Sequence, residues 1–130
     1  QPAHLGRLQP ALTLLAKSIG VDGLVLSNHG GRNLDSSPSA LSVLAQILQH
    51  VGKDMTLLVD GGIMRGSDIF KAVALGASGV LAGRAPLWGL AAEGEEGARA
   101  AISILIQEFK TTMALAGCRN ISEAKKIHIT

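Results

Sequence analysis

The sequence predicts an α/β fold in which helices cover a parallel sheet. Three short apolar segments are each ended by a glycine-containing turn, and a helical pattern follows each of them. Their apolar residues are continuous rather than alternating, which is typical of strands buried on both faces of a parallel sheet. Strands that alternate with helices form βα units joined by right-handed crossovers. We therefore expect three consecutive βα units, preceded by one helix.

Apolar periodicity and glycine stop signals define the predicted elements. The expected strands are residues 21–27, 56–59 and 79–82, and the expected helices are residues 10–18, 40–51, 68–75 and 97–116. A glycine lies within two residues after each helix, where helices commonly end. Ser67 is the expected N-cap of the third helix. In the last helix, helical spacing predicts four inward residues, Ile102, Leu105, Ile106 and Phe109. Trp88 is expected to pack between the last strand and this helix.

Composition and charge exclude several classes of protein. The 130 residues include 12 Lys and Arg against 10 Asp and Glu, and the two signs are interspersed, so we expect no nucleic-acid partner. A single cysteine, Cys118, excludes a disulfide framework, and no His, Cys, Asp and Glu cluster has metal-ligand spacing. No apolar run reaches the ~18 residues that a membrane helix needs. These features predict a cytoplasmic protein without a bound metal or a membrane segment.

Two features indicate that the chain is part of something larger. It begins with Gln1 rather than with methionine, and 47% of its residues are hydrophobic. A small protein has proportionally more surface to cover with polar groups, so this apolar fraction is high for the length. We expect residues 1–130 to be a portion of one larger domain.

Glycine and arginine mark the turns after the second and third predicted strands. These turns read DGGIMRGS over residues 60–67 and GRAP over residues 83–86. Glycines let the backbone approach an anion closely, and a following helix N-terminus attracts negative charge. Two such turns in succession are similar to the phosphate site after the last two strands of a (β/α)₈ barrel, which needs ~250 residues. The alternatives are glycines that only form tight turns and, on length alone, an open sheet.

The turn after the first strand carries the most specific pattern, SNHGGRNLD over residues 27–35. It places His29 and Arg32 at the end of one strand. A free imidazole titrates near neutral pH and can accept a proton there. A guanidinium group forms a planar, bidentate pair with a carboxylate. Together they suit proton abstraction from a substrate that carries a carboxylate, whereas a lone histidine would more often be a capping or core residue.

These residues carry a resemblance to a known family. The segments SNHGGRNLD, LLVDGGIMRGSDIFKAVALGASGVLAGRAPLWGLAAEGEEG and LAGCRNISE resemble the C-terminal part of the FMN-dependent 2-hydroxy-acid oxidases and dehydrogenases. The resemblance covers roughly residues 20–129. It implies the last three βα units of a (β/α)₈ barrel, FMN as the cofactor, a small 2-hydroxy acid as the substrate and a homo-oligomeric parent enzyme. It also leaves a peroxisomal or membrane-associated parent possible.

The resemblance implies a role for each residue of the candidate site. His29 corresponds to the catalytic base, and Arg32 to the group that holds the substrate carboxylate. The remaining residues would contact FMN: Ser27 near the flavin, Asp60, Gly61 and Gly62 along the ribityl chain, and Gly83 and Arg84 at the phosphate.

Two positions depart from the family pattern. Met64 stands where the family has a phosphate-binding arginine, whose loss predicts ~10- to 100-fold weaker FMN binding. Arg65 could turn inward to compensate. Leu5 stands at the position of a lysine that lies beside the flavin. These departures keep two alternatives open: a truncated flavin-barrel fragment without turnover, and a phosphate-binding barrel of the IMP dehydrogenase type.

Overall fold

The structure is a computed structural model that describes residues 5–52 and 55–129. Helix α1 (Leu5–Ser18) leads into strand β1 (Gly23–Ser27), a short 3₁₀ helix (His29–Gly31) and helix α2 (Ala40–Val51). Strand β2 (Thr56–Asp60) is followed by α3 (Gly66–Ala74), and β3 (Gly79–Leu81) by α4 (Arg84–Leu115) and α5 (Ile121–Ala124). The element order is the predicted one, three βα units after an opening helix.

The three strands form one parallel sheet in the order β1-β2-β3. Ser27 pairs with Asp60 across the first two strands, and Asp60 pairs with Leu81 across the next two. Because the strands are parallel and in register, their carboxyl ends meet at one edge of the sheet. This edge brings the three predicted glycine-rich turns together.

One face of the sheet is closed and the other is open. Leu57 and Val59 on β2 are 1% and 0% exposed, and they pack in one cluster with residues of α2 such as Leu44 and Ile47. On the opposite face, Val25 and Leu81 are 50% and 42% exposed. The expectation of strands buried on both faces is therefore wrong, because no element within residues 5–52 and 55–129 covers this second face.

The starts of α1 and α3 differ from the predicted ones. Helix α1 begins at Leu5, well before Pro10, so this proline lies inside the helix rather than at its start. Helix α3 is capped at Arg65 rather than at Ser67. The Asp68 carboxylate accepts hydrogen bonds from the backbone N–H groups of Met64 and Arg65, at 3.1 and 3.0 Å. An acidic side chain near the helix start thus provides the cap that we assigned to serine.

Helix α4 begins directly after the third strand and is broken in the middle. Gly94 has φ 62° and interrupts the helical backbone between the two arms. The arms pass so closely that a Cβ on Gly97 would lie 2.0 Å from the carbonyl oxygen of Gly89. Of the four residues expected to face inward, Leu105 is buried and Phe109 packs against a second apolar cluster around Phe70, but Ile102 and Ile106 are about half exposed. Trp88 is also exposed, so its expected packing role is wrong.

Candidate active site

A cavity of about 220 Å³ lies at the carboxyl edge of the sheet. Its walls include seven of the eight site residues predicted from the sequence: His29, Arg32, Asp60, Gly61, Gly62, Gly83 and Arg84. All three strand ends contribute, so residues up to 55 positions apart in the chain meet in one place. Parallel α/β folds bind their ligands at this edge.

The eighth residue, Ser27, links two of the turns. Its hydroxyl donates a hydrogen bond to Asp60 Oδ2 at 2.5 Å and accepts one from the backbone N–H of His29 at 3.0 Å. The parallel register places Ser27 opposite Asp60, which makes the first contact possible. Asp60, at the end of β2, is thereby linked through Ser27 to the backbone of the turn that carries His29, called the histidine turn below.

The histidine turn has an unusual backbone. His29 has φ 57° and is the only non-glycine residue with positive φ in the described part of the chain. The Asn28 side chain caps the 3₁₀ helix by accepting from the N–H of Gly30 at 3.1 Å. A non-glycine residue in this conformation costs about 1–3 kcal/mol and persists only where its surroundings over-determine it, most often at functional sites.

The turns after β1 and β2 pack directly against each other. Gly61 has φ 101°, and a Cβ at this position would lie 2.8 Å from Asn28 Oδ1. Both the backbone conformation and the close approach require glycine here. The DGG sequence therefore shapes the site in addition to forming a turn.

Arginine side chains give the cavity a positive wall. Neither Arg32 nor Arg84 forms an ion pair with a carboxylate in the parts of the chain that the structure describes. Arg84 lies against the histidine turn, since a Cβ on Gly30 would be 3.5 Å from Arg84 Nη2. Two guanidinium groups at a glycine-lined wall suit an anionic ligand.

Arg65 does not join this wall. Its side chain is 74% exposed, and its Nη1 lies 3.7 Å from Glu108 Oε1 on α4. The other Glu108 oxygen accepts a hydrogen bond from the N–H of Gly66 at 2.8 Å, so a carboxylate already lies at the start of α3. Met64 lines the cavity instead. The idea that Arg65 turns inward to replace the missing cation is therefore wrong in this structure.

Sequence reasoning missed two side chains that shape the site. Asn33 Nδ2 lies 2.7 Å from His29 Nδ1, and Glu108 caps α3 from a helix 42 residues further along the chain. The spacing of four residues between His29 and Asn33 could have indicated the first contact. No local signal indicates the second, because it depends on how α4 packs on α3.

The residues present fit part of an FMN molecule. Cations and exposed backbone at Gly62 and Gly83 suit a phosphate group, and the Asp60 carboxylate can accept from the hydroxyls of a sugar-like chain. The cavity is smaller than the roughly 300–1,000 Å³ of complete small-molecule sites. The described residues thus provide one wall of a site for a molecule of this size.

The described residues contain neither a metal-binding cluster nor a membrane-spanning helix. Among the described residues, no group of three or more His, Cys, Asp and Glu side chains could hold a metal ion. Within the same ranges, no helix is long and apolar enough to cross a membrane.

Known proteins resemble this chain over nearly its whole length. It is 49% identical over 116 residues to a peroxisomal (S)-2-hydroxyacid oxidase of Arabidopsis thaliana, which covers 89% of the chain and 32% of that protein. It is 45% identical over 107 residues to 2-hydroxyacid oxidase 1 of Mus musculus, or 82% of the chain and 29% of the relative. The chain thus spans about a third of the length of the curated relatives it matches.

The structure resembles solved mandelate oxidase barrels. A mandelate oxidase variant with a monooxide FMN adduct matches with a TM-score of 0.87 and 41% identity, over 92% of this chain and 38% of the other. A complex of mandelate oxidase with benzoyl-formic acid gives a TM-score of 0.87 at 41% identity, over 92% and 36% of the two chains. These matches confirm the predicted fold class, a part of a (β/α)₈ barrel. The model of the FMN-dependent dehydrogenase family matches residues 6–130, and the chain therefore belongs to that family of FMN-dependent oxidoreductases rather than to the IMP dehydrogenase type.

Proposed function

We propose that residues 1–130 form part of the FMN-binding domain of an enzyme that oxidises a small 2-hydroxy acid to the 2-oxo acid. The observation that carries this proposal is the meeting of His29, Arg32 and Arg84 at one cavity on the carboxyl edge of the sheet. One proton acceptor and two cations match the needs of an anionic substrate and an anionic cofactor. The names of the relatives, 2-hydroxyacid oxidase and mandelate oxidase, support the substrate class.

Each polar residue has a distinct role in the proposed reaction. Arg32 binds the substrate carboxylate through its planar guanidinium group and so orients C2 toward the histidine. Oxidation of the alcohol removes two electrons and two protons, and His29 accepts one of these protons at a ring nitrogen. When bound, FMN would supply the acceptor for the electron pair and for the other proton. The positive φ of His29 is the strained backbone that aims its ring into the cavity.

The remaining site residues hold the cofactor in this proposal. Arg84 binds the phosphate together with the backbone at Gly83, which begins α4 as its N-cap. Asp60, Gly61 and Gly62 would lie along the ribityl chain, and Ser27 would lie near the flavin. The hydrogen bond from Ser27 to Asp60 supports this arrangement, because it connects the cofactor wall to the histidine turn.

A second candidate is a chain that binds FMN weakly and does not turn over. Two features favour this candidate. The open face of the sheet leaves the cavity with one wall fewer, and the methionine at position 64 leaves it with one cation fewer.

The cytoplasmic location and the homo-oligomeric state stay predictions. The peroxisomal names of plant relatives support the peroxisome as the other compartment.

A flavin-fluorescence titration of the chain with FMN tests the cofactor site. We expect saturable quenching, and Arg84→Ala should weaken the affinity by about 10- to 100-fold, because a charge-assisted hydrogen bond contributes about 1.5–3 kcal/mol. Arg65→Ala is the matched control and should change the affinity less than about twofold, since Arg65 pairs with Glu108 outside the cavity. Equal effects of the two variants would contradict the assigned phosphate site.

Anaerobic mixing of the FMN-loaded chain with lactate or mandelate then separates the two candidate functions. If the chain is an oxidase, we expect the absorbance of oxidised flavin to fall in the native chain and to persist in His29→Ala. Tight FMN binding without any bleaching would support the second candidate instead.

A further inference from the structure

Met64 differs in its surroundings from the other two methionines of the chain. It is half-buried and lines the cavity at the carboxyl edge of the sheet. Met55 is 5% exposed within the apolar cluster between the sheet and α2, and Met113 packs against the apolar cluster around Phe70. Of the three thioethers, the one at position 64 therefore belongs to the candidate active site, while the other two belong to packed apolar clusters.

The glycines on either side of the cavity leave space beside Met64. A Cβ added at Gly62, in the same turn, would meet no atom within 4 Å, and the same holds for Gly83 at the end of β3. Both glycines line the cavity together with Met64. Because the turn borders open space, a molecule as small as hydrogen peroxide can reach the sulfur without any movement of the backbone.

Peroxide converts a methionine thioether to a sulfoxide without any further reagent. A sulfur lone pair attacks one peroxide oxygen, so an S–O bond forms, the O–O bond breaks and the second oxygen leaves as water. The sulfur is oxidised by two electrons and the peroxide is reduced by two. The proposed function is a source of this oxidant when O₂ takes the electron pair, because a hydroxy acid and O₂ then give the oxo acid and hydrogen peroxide in equal amounts.

A sulfoxide at position 64 would weaken the attraction of the cavity for an anion. The thioether is a weak hydrogen-bond acceptor, whereas the sulfoxide is polar and carries negative partial charge on its oxygen. Arg32 and Arg84 line the same cavity, and neither pairs with a carboxylate among the described residues. The new oxygen would repel a phosphate group and compete with it for these guanidinium donors.

We propose that Met64 is a peroxide-sensitive site whose oxidation to the sulfoxide lowers the affinity of the cavity for the phosphate of FMN. The proposal rests on the proposed function for the cofactor and for the source of peroxide. A chain without FMN presents the thioether to peroxide, and the sulfoxide then opposes loading of the cofactor. Methionine sulfoxide can be reduced enzymatically, so this loss of affinity is reversible.

Peptide mapping by tandem mass spectrometry tests the oxidation site without cofactor or substrate. The chain is treated with hydrogen peroxide, and samples from a time course are mapped for the mass of one added oxygen atom. We expect this addition at Met64 before Met55 and Met113, because packing in the apolar clusters protects the other two sulfurs. Oxidation of Met113 or Met55 as fast as Met64 would overturn the proposal.

A flavin-fluorescence titration before and after peroxide tests the consequence for the cofactor. The FMN affinity of the native chain should fall by about 10- to 100-fold, the worth of one charge-assisted hydrogen bond. Treatment with methionine sulfoxide reductases of both stereospecificities should restore it. Met64→Leu should keep its own starting affinity after peroxide, whereas Met113→Leu should lose affinity as the native chain does.

The Met64→Leu variant also excludes an effect of the single cysteine, since it retains Cys118. A loss of affinity in this variant after peroxide would assign the effect to another residue and overturn the proposal. An unchanged affinity in the oxidised native chain would overturn it as well. Absence of FMN binding before treatment would contradict the cofactor site of the proposed function rather than the oxidation site, which the peptide map reports separately.

Discussion

The turns after β2 and β3 have similar sequences and different roles. Each places glycine and arginine at the end of a parallel strand and before a helix. Arg84, after β3, lines the cavity and lies against the histidine turn. Arg65, after β2, lies outside the cavity and pairs with Glu108 on α4. A glycine–arginine turn therefore suits an anion only where nothing else neutralises the arginine.

Helix packing explains the difference between the two turns. At the start of α3, a Cβ on Gly66 would lie 2.0 Å from the backbone nitrogen of Phe109, because α4 crosses at this point. Around Gly83, nothing lies within 4 Å of the corresponding position. The last residues of the β2 turn thus pack against α4, whereas the backbone of the β3 turn stays open toward the cavity.

One added methyl group should have very different effects on stability at the two turns. Gly66→Ala should lower the free energy of unfolding by about 3 kcal/mol, because the backbone of α4 cannot move away without disturbing α3. Gly83→Ala is the matched control and should change it by less than about 0.5 kcal/mol, since its side chain meets open space. Urea unfolding followed by circular dichroism measures both values. Similar values for the two variants would show that the turns do not differ in packing.

Restoring a cation to the β2 turn should strengthen its attraction for an anion. Met64 lines the cavity, so Met64→Arg adds a guanidinium group to the positive wall. We expect FMN affinity to rise by about 10- to 100-fold, the worth of one charge-assisted hydrogen bond to a phosphate. Met64→Leu keeps the size without the charge and should leave the affinity within about twofold. Fluorescence titration measures both, and an unchanged affinity in the arginine variant would place the phosphate elsewhere.

A second arginine–glutamate pair, Arg119 and Glu123, should have only a small effect on stability. Arg119 hydrogen bonds to the Glu123 carboxylate and lowers the pKa of Glu123 below its usual 4.5, and its backbone N–H acts in the same direction. A folded-state pKa that is lowered adds stability above the unfolded pKa, and this stability is lost as the pH falls through the folded value.

The melting temperature of the native chain should therefore exceed that of Glu123→Gln slightly at neutral pH. The difference should shrink as the pH falls below about 4.5. Because the carboxylate is on the surface, we expect a small change that salt weakens further. If the difference in melting temperature persists unchanged in acid, the charge of Glu123 is not the source of that difference.

Local sequence patterns predicted the strands and the residues that meet at their carboxyl edge. The β2 segment was predicted to within one residue, and seven of the eight proposed site residues line one cavity. Strand ends and glycine turns are local signals, and parallel pairing then brings them to one edge. The cap of α3 was predicted wrongly. Ser67 was expected to cap this helix, but Arg65 and Asp68 do so, and Glu108 of the distant helix α4 accepts from the N–H of Gly66. The packing of α4 follows from its break at Gly94, which uniform helical spacing does not anticipate.

Sequence patterns alone predict the order of βα units, the family and the identities of the polar residues at the strand ends. These properties depend on short segments whose backbone preferences and chemistry are local. Packing in three dimensions determines that Arg84 lines the cavity while Arg65 pairs with Glu108, and that Asn33 contacts the His29 ring. Both outcomes depend on which groups lie within about 3–4 Å of one another in space. A side chain forms its contact with the partner that packing places nearest, and one-dimensional spacing does not encode that distance.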